Sequence, residues 1–249
     1  MIVVAAGLLG AIVGSFLNVV VYRVPRHESL VHPGSHCPNC NAPVRPYDNI
    51  PVLGYLVLRG RCRNCGAPIS RRYPAVEFVT AALTVSVVLA RHSVHDIALG
   101  VALIFVLVPV ALIDIEQRVI PNAILAPAAL AALVIGAVTR PSGVPEQLIA
   151  GASAGAFLLL FALAYPRGMG MGDVKLAAVL GLFLGRSVAV ALLVGVLTAL
   201  IAGIVIIVRS NAGEGRKTKI PFGPFLAIGG VVAVLAGPEI VHWYLHSIV

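Results

Sequence analysis

Charge is scarce in this chain: Asp, Glu, Lys and Arg together make up 11% of its 249 residues, while 59% are hydrophobic and the mean hydropathy is +0.99. Soluble domains carry about a quarter charged residues, so a soluble enzyme is excluded. A basic leader is also missing. Positions 1–22 are apolar and hold no cation before Arg23; a cleavable signal peptide begins with cations, so this stretch reads as a spanning segment. No solenoid-length repeat and no low-complexity linker is present. The formal charge of +8 would suggest a nucleic-acid partner for a soluble protein. Here the cations lie in short loops between apolar runs, where they set membrane orientation, so a lipid bilayer and no nucleic acid is expected as the environment.

A helix needs about 20 apolar residues to cross a bilayer. Eight candidate runs follow: 1–22, 75–90, 97–113, 120–138, 144–165, 174–184, 187–208 and 220–245. The sixth is short enough to be re-entrant, and loop charges arbitrate. If all eight cross and the N-terminus is outside, fifteen Lys and Arg fall on the cytoplasmic side, with Arg91, Arg140 and Arg186 outside. If the sixth does not cross, the split becomes twelve against six, which fits the positive-inside bias less well. The expectation is therefore an all-α polytopic membrane protein of about eight transmembrane helices, with both termini outside. It divides into a first helix at 1–22, a cytoplasmic insert at 23–74 and a seven-helix region at 75–249.

Cysteine is confined to that insert, as Cys37-Pro-Asn-Cys40 and Cys62-Arg-Asn-Cys65. The spacing fits a tetrathiolate zinc site, with a pair of disulfides as the alternative. A cytosolic loop keeps its thiols reduced, which favours a structural Zn²⁺ in a zinc-ribbon-like module. The two halves repeat, CPNCNAPV answering CRNCGAPI. Asn41 and Gly66 follow the second cysteine of each pair, and these residue types tolerate the left-handed backbone of a turn that aims amides at sulfur. His27, His32 and His36 are substitute ligands, or simply solvated.

Aspartate occurs four times, at Asp48, Asp96, Asp114 and Asp173. Asp114 ends the third span in ALIDIEQRVIPN and Asp173 opens the sixth in GMGMGDVKL, so both are expected at the cytoplasmic boundary. A carboxylate at membrane depth is expensive to ionise and marks a functional site. Two adjacent carboxyl groups share one proton, leaving an anion to take a proton from water and a neutral acid to polarise a carbonyl. The structural alternatives are a helix N-terminal carboxylate at Asp173, with Gly170 and Gly172 as a turn, and an interfacial Asp114 paired with Arg118 at i,i+4. Pro109 and Pro121 suit a kink and a helix start near Asp114.

At these residues the chain resembles the type IV prepilin peptidases, the bacterial branch of the GxGD membrane aspartyl proteases. The motifs are GSFLNVVVYR from Gly14, the paired CxxC, RRYPAVE from Arg71, ALID followed by IPN, and GMGMGDVKL, all in the family's order. The resemblance implies that Asp114 and Asp173 are the catalytic pair, with Gly170, Gly172 and Lys175 in the active-site loop. It implies a prepilin or pseudopilin substrate with a short basic leader, cut at the cytoplasmic face of the bacterial inner membrane in type IV pilus or type II secretion systems. It also implies an S-adenosylmethionine-dependent N-methyltransferase. No nucleotide-type glycine loop is visible in the insert; Gly60 in LRGRC is a candidate for that activity, or a turn glycine. Glu116 stands where many members carry a second Asp.

A proton-coupled transporter is the alternative from another class, but it would place carboxylates near mid-membrane and often repeats its halves. Among the other polar residues, Lys175 reads as snorkelling to the interface, Glu77 as serving a helix N-terminus, and Ser15 and Asn18 as bridging helices. Nothing in the sequence assigns an oligomeric state.

Overall fold

The computed structural model describes residues 1–165, 169–209 and 221–248. Arg167, Arg216, Lys217 and Lys219 from the loop-charge argument, and Ile220 at the start of the eighth run, lie outside the described residues. The nine α-helices among the described residues are α1 (Ile2–Arg23), α2 (Leu53–Val57), α3 (Arg72–Ala90), α4 (Val94–Gln117), α5 (Asn122–Thr139), α6 (Val144–Ala164), α7 (Met171–Leu184), α8 (Val188–Arg209) and α9 (Gly223–Ile248). No strand occurs among them, only two isolated bridges. The protein is an all-α polytopic membrane protein. Its helices sort into two compact units, Met1–Leu89 and Ala90–Val249.

Among the described residues, seven runs are long and apolar enough to cross a membrane. The longest, Met171–Arg209, has 39 residues, and a straight helix of that length would measure about 58 Å, twice a hydrocarbon core. It is two helices instead. Gly185, at φ +54°, ends α7, and a short 3₁₀ turn leads into α8. The sixth predicted run is therefore the separate helix α7, and its 14 residues extend only about 21 Å.

The first unit holds α1, the insert and α3. Asn18 on α1 donates to the Tyr73 carbonyl at 3.2 Å, bridging the two helices as expected for a polar residue in an apolar span. Gly10 and Gly14 allow the close approach: a Cβ at Gly10 would lie 2.7 Å from Ala81 Cα. α3 begins at Arg72, three residues before the predicted start at 75, because Pro74 falls in the first helical turn, where its missing N–H costs nothing.

The second unit is built around α4, which contacts α5, α7 and α9. Ser93 caps it, accepting the Asp96 N–H at 3.0 Å and donating to the Asp96 carboxylate at 2.6 Å. Leu103, Ile104, Leu107, Val110 and Ile113 are almost fully buried along its length. Pro109 sits inside this helix without ending it. The pairs α6 with α7 and α8 with α9 pack through small residues; a Cβ at Gly229 would lie 2.0 Å from the Ala191 carbonyl oxygen. Large apolar side chains such as Leu193, Leu200 and Ile201 on α8 are exposed, as a lipid-facing surface requires.

Candidate active site and metal centre

Two knuckles carry the cysteines of the first unit. In each, the first cysteine's N–H donates across the turn, Cys37 to Ala42 at 2.9 Å and Cys62 to Ala67 at 2.8 Å. The residue after the second cysteine folds back, Asn41 to the Cys37 carbonyl at 2.8 Å and Gly66 to the Cys62 carbonyl at 2.9 Å. Both are left-handed, Asn41 at φ +55° and Gly66 at φ +71°, as their residue types suggested. The turns aim amides at sulfur: the N–H groups of Cys40 and Asn39 lower the Cys37 pKa. The Ala67 N–H, helped by the Asn39 side chain, holds Cys65 down to about 6. Cys37 and Cys65 are thereby biased toward the thiolate form that binds metal, while burial and the neighbouring thiols push Cys40 up to about 11.

The four sulfurs lie within 4.8 Å of one another, with Cys37 to Cys65 at 3.8 Å and Cys40 to Cys62 at 4.0 Å. A tetrahedral zinc with Zn–S bonds of about 2.3 Å requires sulfurs about 3.8 Å apart, so the cluster fits one ion. All four cysteines are free thiols, so neither disulfide of the alternative reading is formed. No histidine joins the group among the described residues; His36 Nδ1 lies 3.0 Å from the Gly34 carbonyl oxygen instead. Asp48 ties the preceding 3₁₀ turn to the second knuckle through two bonds from Arg63, at 2.6 and 2.8 Å. Those bonds hold the Asp48 carboxyl below the usual carboxylate range.

Gly60 sits in a turn. Its φ is +67°, its N–H donates to Tyr55 at 2.9 Å, and its carbonyl accepts Ile69 N–H at 2.7 Å. Glu77 departs from its expected place at a helix start. It is the sixth residue of α3 and is buried, and its Oε2 accepts the Val52 N–H at 2.7 Å. Val52 has φ +60° and ψ −49°, and its neighbours close a tight turn, Leu53 N–H to Pro51 carbonyl at 2.6 Å. This is a γ-turn of the rare, strained hand, on a β-branched residue.

The second unit holds both of the singled-out aspartates. Asp114, in the last turn of α4, and Asp173, in the first turn of α7, are both buried. The two helices that carry them pack against each other. Each accepts a backbone N–H: Asp114 Oδ2 from Gly223 at 2.9 Å, Asp173 Oδ2 from Gly170 at 3.2 Å. Gly172 lets α7 approach the chain entering α5, since a Cβ there would lie 3.0 Å from Ile120 Cβ. Gly170 has no such constraint; its Cβ would make an ordinary 3.5 Å contact with Asp173 Oδ2. Lys175 is exposed and donates to Asn122 Oδ1 at 3.0 Å.

Gly223 is the residue that sequence reasoning missed. The Pro-Phe-Gly-Pro run at 221–224 is a helix-start signal, but a contact across 109 positions leaves no local pattern.

Comparison with known proteins agrees with this arrangement. Residues 8–91 match the Bacterial Peptidase A24 N-terminal domain, and residues 101–208 match the Type IV leader peptidase family. The chain is 36% identical to a prepilin leader peptidase/N-methyltransferase of Aeromonas hydrophila, over 96% of this chain and 92% of that protein. It is 39% identical to one of Pseudomonas putida, over 94% and 91%, and 35% identical to one of Pseudomonas aeruginosa, over 96% and 91%. No solved structure matches. With two family domains in order and relatives of this similarity along almost the whole length, the chain belongs to the type IV leader peptidase family.

Proposed function

We propose that this protein is a membrane aspartyl endopeptidase that removes the leader from prepilins or pseudopilins and methylates the new N-terminus, with Asp114 and Asp173 as the catalytic pair. The observation that carries the protease reading is the burial of two carboxyl groups at the ends of packed helices α4 and α7, each accepting one backbone N–H. One carboxylate takes a proton from water as the water oxygen attacks the scissile carbonyl carbon. The other, protonated, donates to the carbonyl oxygen. Collapse of the tetrahedral intermediate breaks the C–N bond; the proton first taken from water goes to the leaving amine, and the proton on the former carbonyl oxygen returns to the carboxylate that gave it.

Loop charges support a cytoplasmic placement of this chemistry in the bacterial inner membrane, with both chain termini outside. Residues 23–74 form the cytoplasmic insert in this reading, and the protease residues come from 75–249, although by packing α3 belongs with the insert in the unit ending at Leu89. The transporter alternative gains no support, since Asp114 is in the last turn of α4 and Asp173 in the first turn of α7, neither at mid-helix.

The metal implied for Cys37, Cys40, Cys62 and Cys65 is a structural Zn²⁺, because four thiolates leave no open position for a reacting water. The methyl transfer rests on the name of the relatives, which are prepilin leader peptidase/N-methyltransferases. Two cavities open on the first unit: one of about 370 Å³ lined by Pro33, Gly34, Ser35, His36, Asn41 and Pro43, and one of about 190 Å³ lined by Asn18, Tyr22, Ser70, Arg72 and Tyr73. Neither has an acidic side chain to face the sulfonium cation of S-adenosylmethionine. These two cavities offer no counter-charge to that donor.

Incubating purified enzyme with a labelled prepilin and S-adenosylmethionine, then weighing the product's N-terminal peptide, tests both activities. A shortened peptide carrying one added methyl group supports the reading, and an uncut substrate overturns it.

A further inference from the structure

Three observations converge on the first residue of α9. Gly223 N–H donates to Asp114 Oδ2 at 2.9 Å in a buried setting. A Cβ on Gly223 would lie 2.7 Å from that same oxygen, 3.1 Å from Asp114 Cγ and 3.2 Å from Asp114 Cβ. The rest of the α9 N-terminus has no comparable donor. Pro224 has no N–H, and Phe225 and Leu226 both donate to the Phe222 carbonyl at 3.1 Å. Of the first three residues of α9, only Gly223 offers an amide to a group outside the helix, and that amide is aimed at a carboxylate.

We propose that Gly223 is a positioning residue of the aspartate site: its N–H fixes the rotamer of the Asp114 carboxylate, and its lack of a side chain lets the start of α9 close on that carboxylate. The role rests on the protease reading, because a fixed rotamer matters only if Asp114 acts on substrate or water. A carboxylate that must hold one direction needs a restraint on its oxygens. A backbone amide supplies one without a second titratable group, which would otherwise compete for the shared proton. Any side chain at 223 would either rotate Asp114 or push α9 away, and a misplacement of about 1 Å can lower turnover a hundredfold.

The experiment compares Gly223→Ala with Gly230→Ala in the full chain, measuring kcat and KM on a labelled prepilin beside thermal stability. Gly230 is a control on the same helix that does not face the carboxylates; its added methyl would meet the tips of Leu107 and Leu180 at 2.8 and 2.9 Å. Gly223→Ala is expected to lower kcat about ten- to a hundredfold with KM within about twofold, while Gly230→Ala changes kcat by less than about threefold at a comparable loss of stability. An unchanged kcat in Gly223→Ala overturns the proposal, and so does an equal fall in kcat for both variants. If Gly223→Ala does not fold, Asp114→Ala/Gly223→Ala decides: the new methyl enters the space the carboxylate left, so the double variant should be as stable as Asp114→Ala. Additive destabilisation contradicts the contact. Full activity of Asp114→Asn would instead refute the dyad, leaving the stability coupling between 114 and 223 as a separate result.

Discussion

Glu77→Ala should loosen the cytoplasmic insert while leaving the second unit intact. The Glu77 carboxylate reaches from α3 to the N–H of Val52, and that amide immediately precedes α2, Leu53–Val57. Truncation removes the acceptor of this half-buried amide, and a donor left unsatisfied costs up to about 1–3 kcal/mol when it is fully buried. Val52 also sits at φ +60°, a conformation that costs a β-branched residue about 1–3 kcal/mol and persists only while its surroundings hold it. Once the acceptor is gone, relaxation of that turn favours the open form. A net bias of about 3 kcal/mol corresponds to roughly a hundredfold rise in local opening. Glu77→Gln keeps an acceptor oxygen at the same reach and should open less than about tenfold. Hydrogen exchange read by mass spectrometry, on a peptide covering α2 and on one covering the buried middle of α4, separates local from global effects. Faster exchange at 53–57 alone, with Ala far above Gln, is the expected pattern. Wild-type exchange in the Ala variant, or equal acceleration in both, refutes the reasoning.

Other perturbations are equally specific. Pro238 inside α9 leaves the Val234 carbonyl without its helical donor, and buried Arg91 supplies Nε at 2.7 Å while its other two nitrogens hold Glu239 at 2.9 and 3.0 Å. Arg91→Ala should lower thermal stability by about 2 kcal/mol, and by less in a Pro238→Ala background, where the helix regains its own N–H; equal losses in both backgrounds contradict this. One zinc ion per chain is expected by elemental analysis, lost in Cys62→Ser together with insert protection, and mass mapping that finds Cys37–Cys40 or Cys62–Cys65 disulfides contradicts it. Cys62→Ser should weaken methylation of the product more than cleavage; equal loss of both would tie the insert to the protease site.

The helices were legible because apolar runs of membrane length are unambiguous, and ends moved by only a few residues where caps such as Ser93 and Gly185 intervene. The knuckles were legible for a different reason: CPNCNAPV and CRNCGAPI repeat one solution, so Asn41 and Gly66 announce the same left-handed turn twice. Asp114 and Asp173 stood out by rarity in an apolar chain, and both are buried at helix ends on two helices that pack together. Contacts between distant segments were not legible. Glu77 on Val52, Arg91 on Val234 and Gly223 on Asp114 each join a side chain to a backbone group far away in sequence. Backbone donors and acceptors occur at nearly every residue, so no residue type marks which one is used. Glu77 was misplaced for that reason, since a carboxylate near a helix start resembles a dipole partner until its acceptor role is seen.

The most direct test is cleavage of a labelled prepilin by purified Asp114→Asn and Asp173→Asn enzymes, alongside wild type, with zinc content and membrane insertion checked in each. Both variants should insert, retain zinc and cut at least a thousandfold more slowly, roughly the loss found when a member of a catalytic unit is removed. Cleavage at the wild-type rate by either variant would contradict a two-aspartate mechanism.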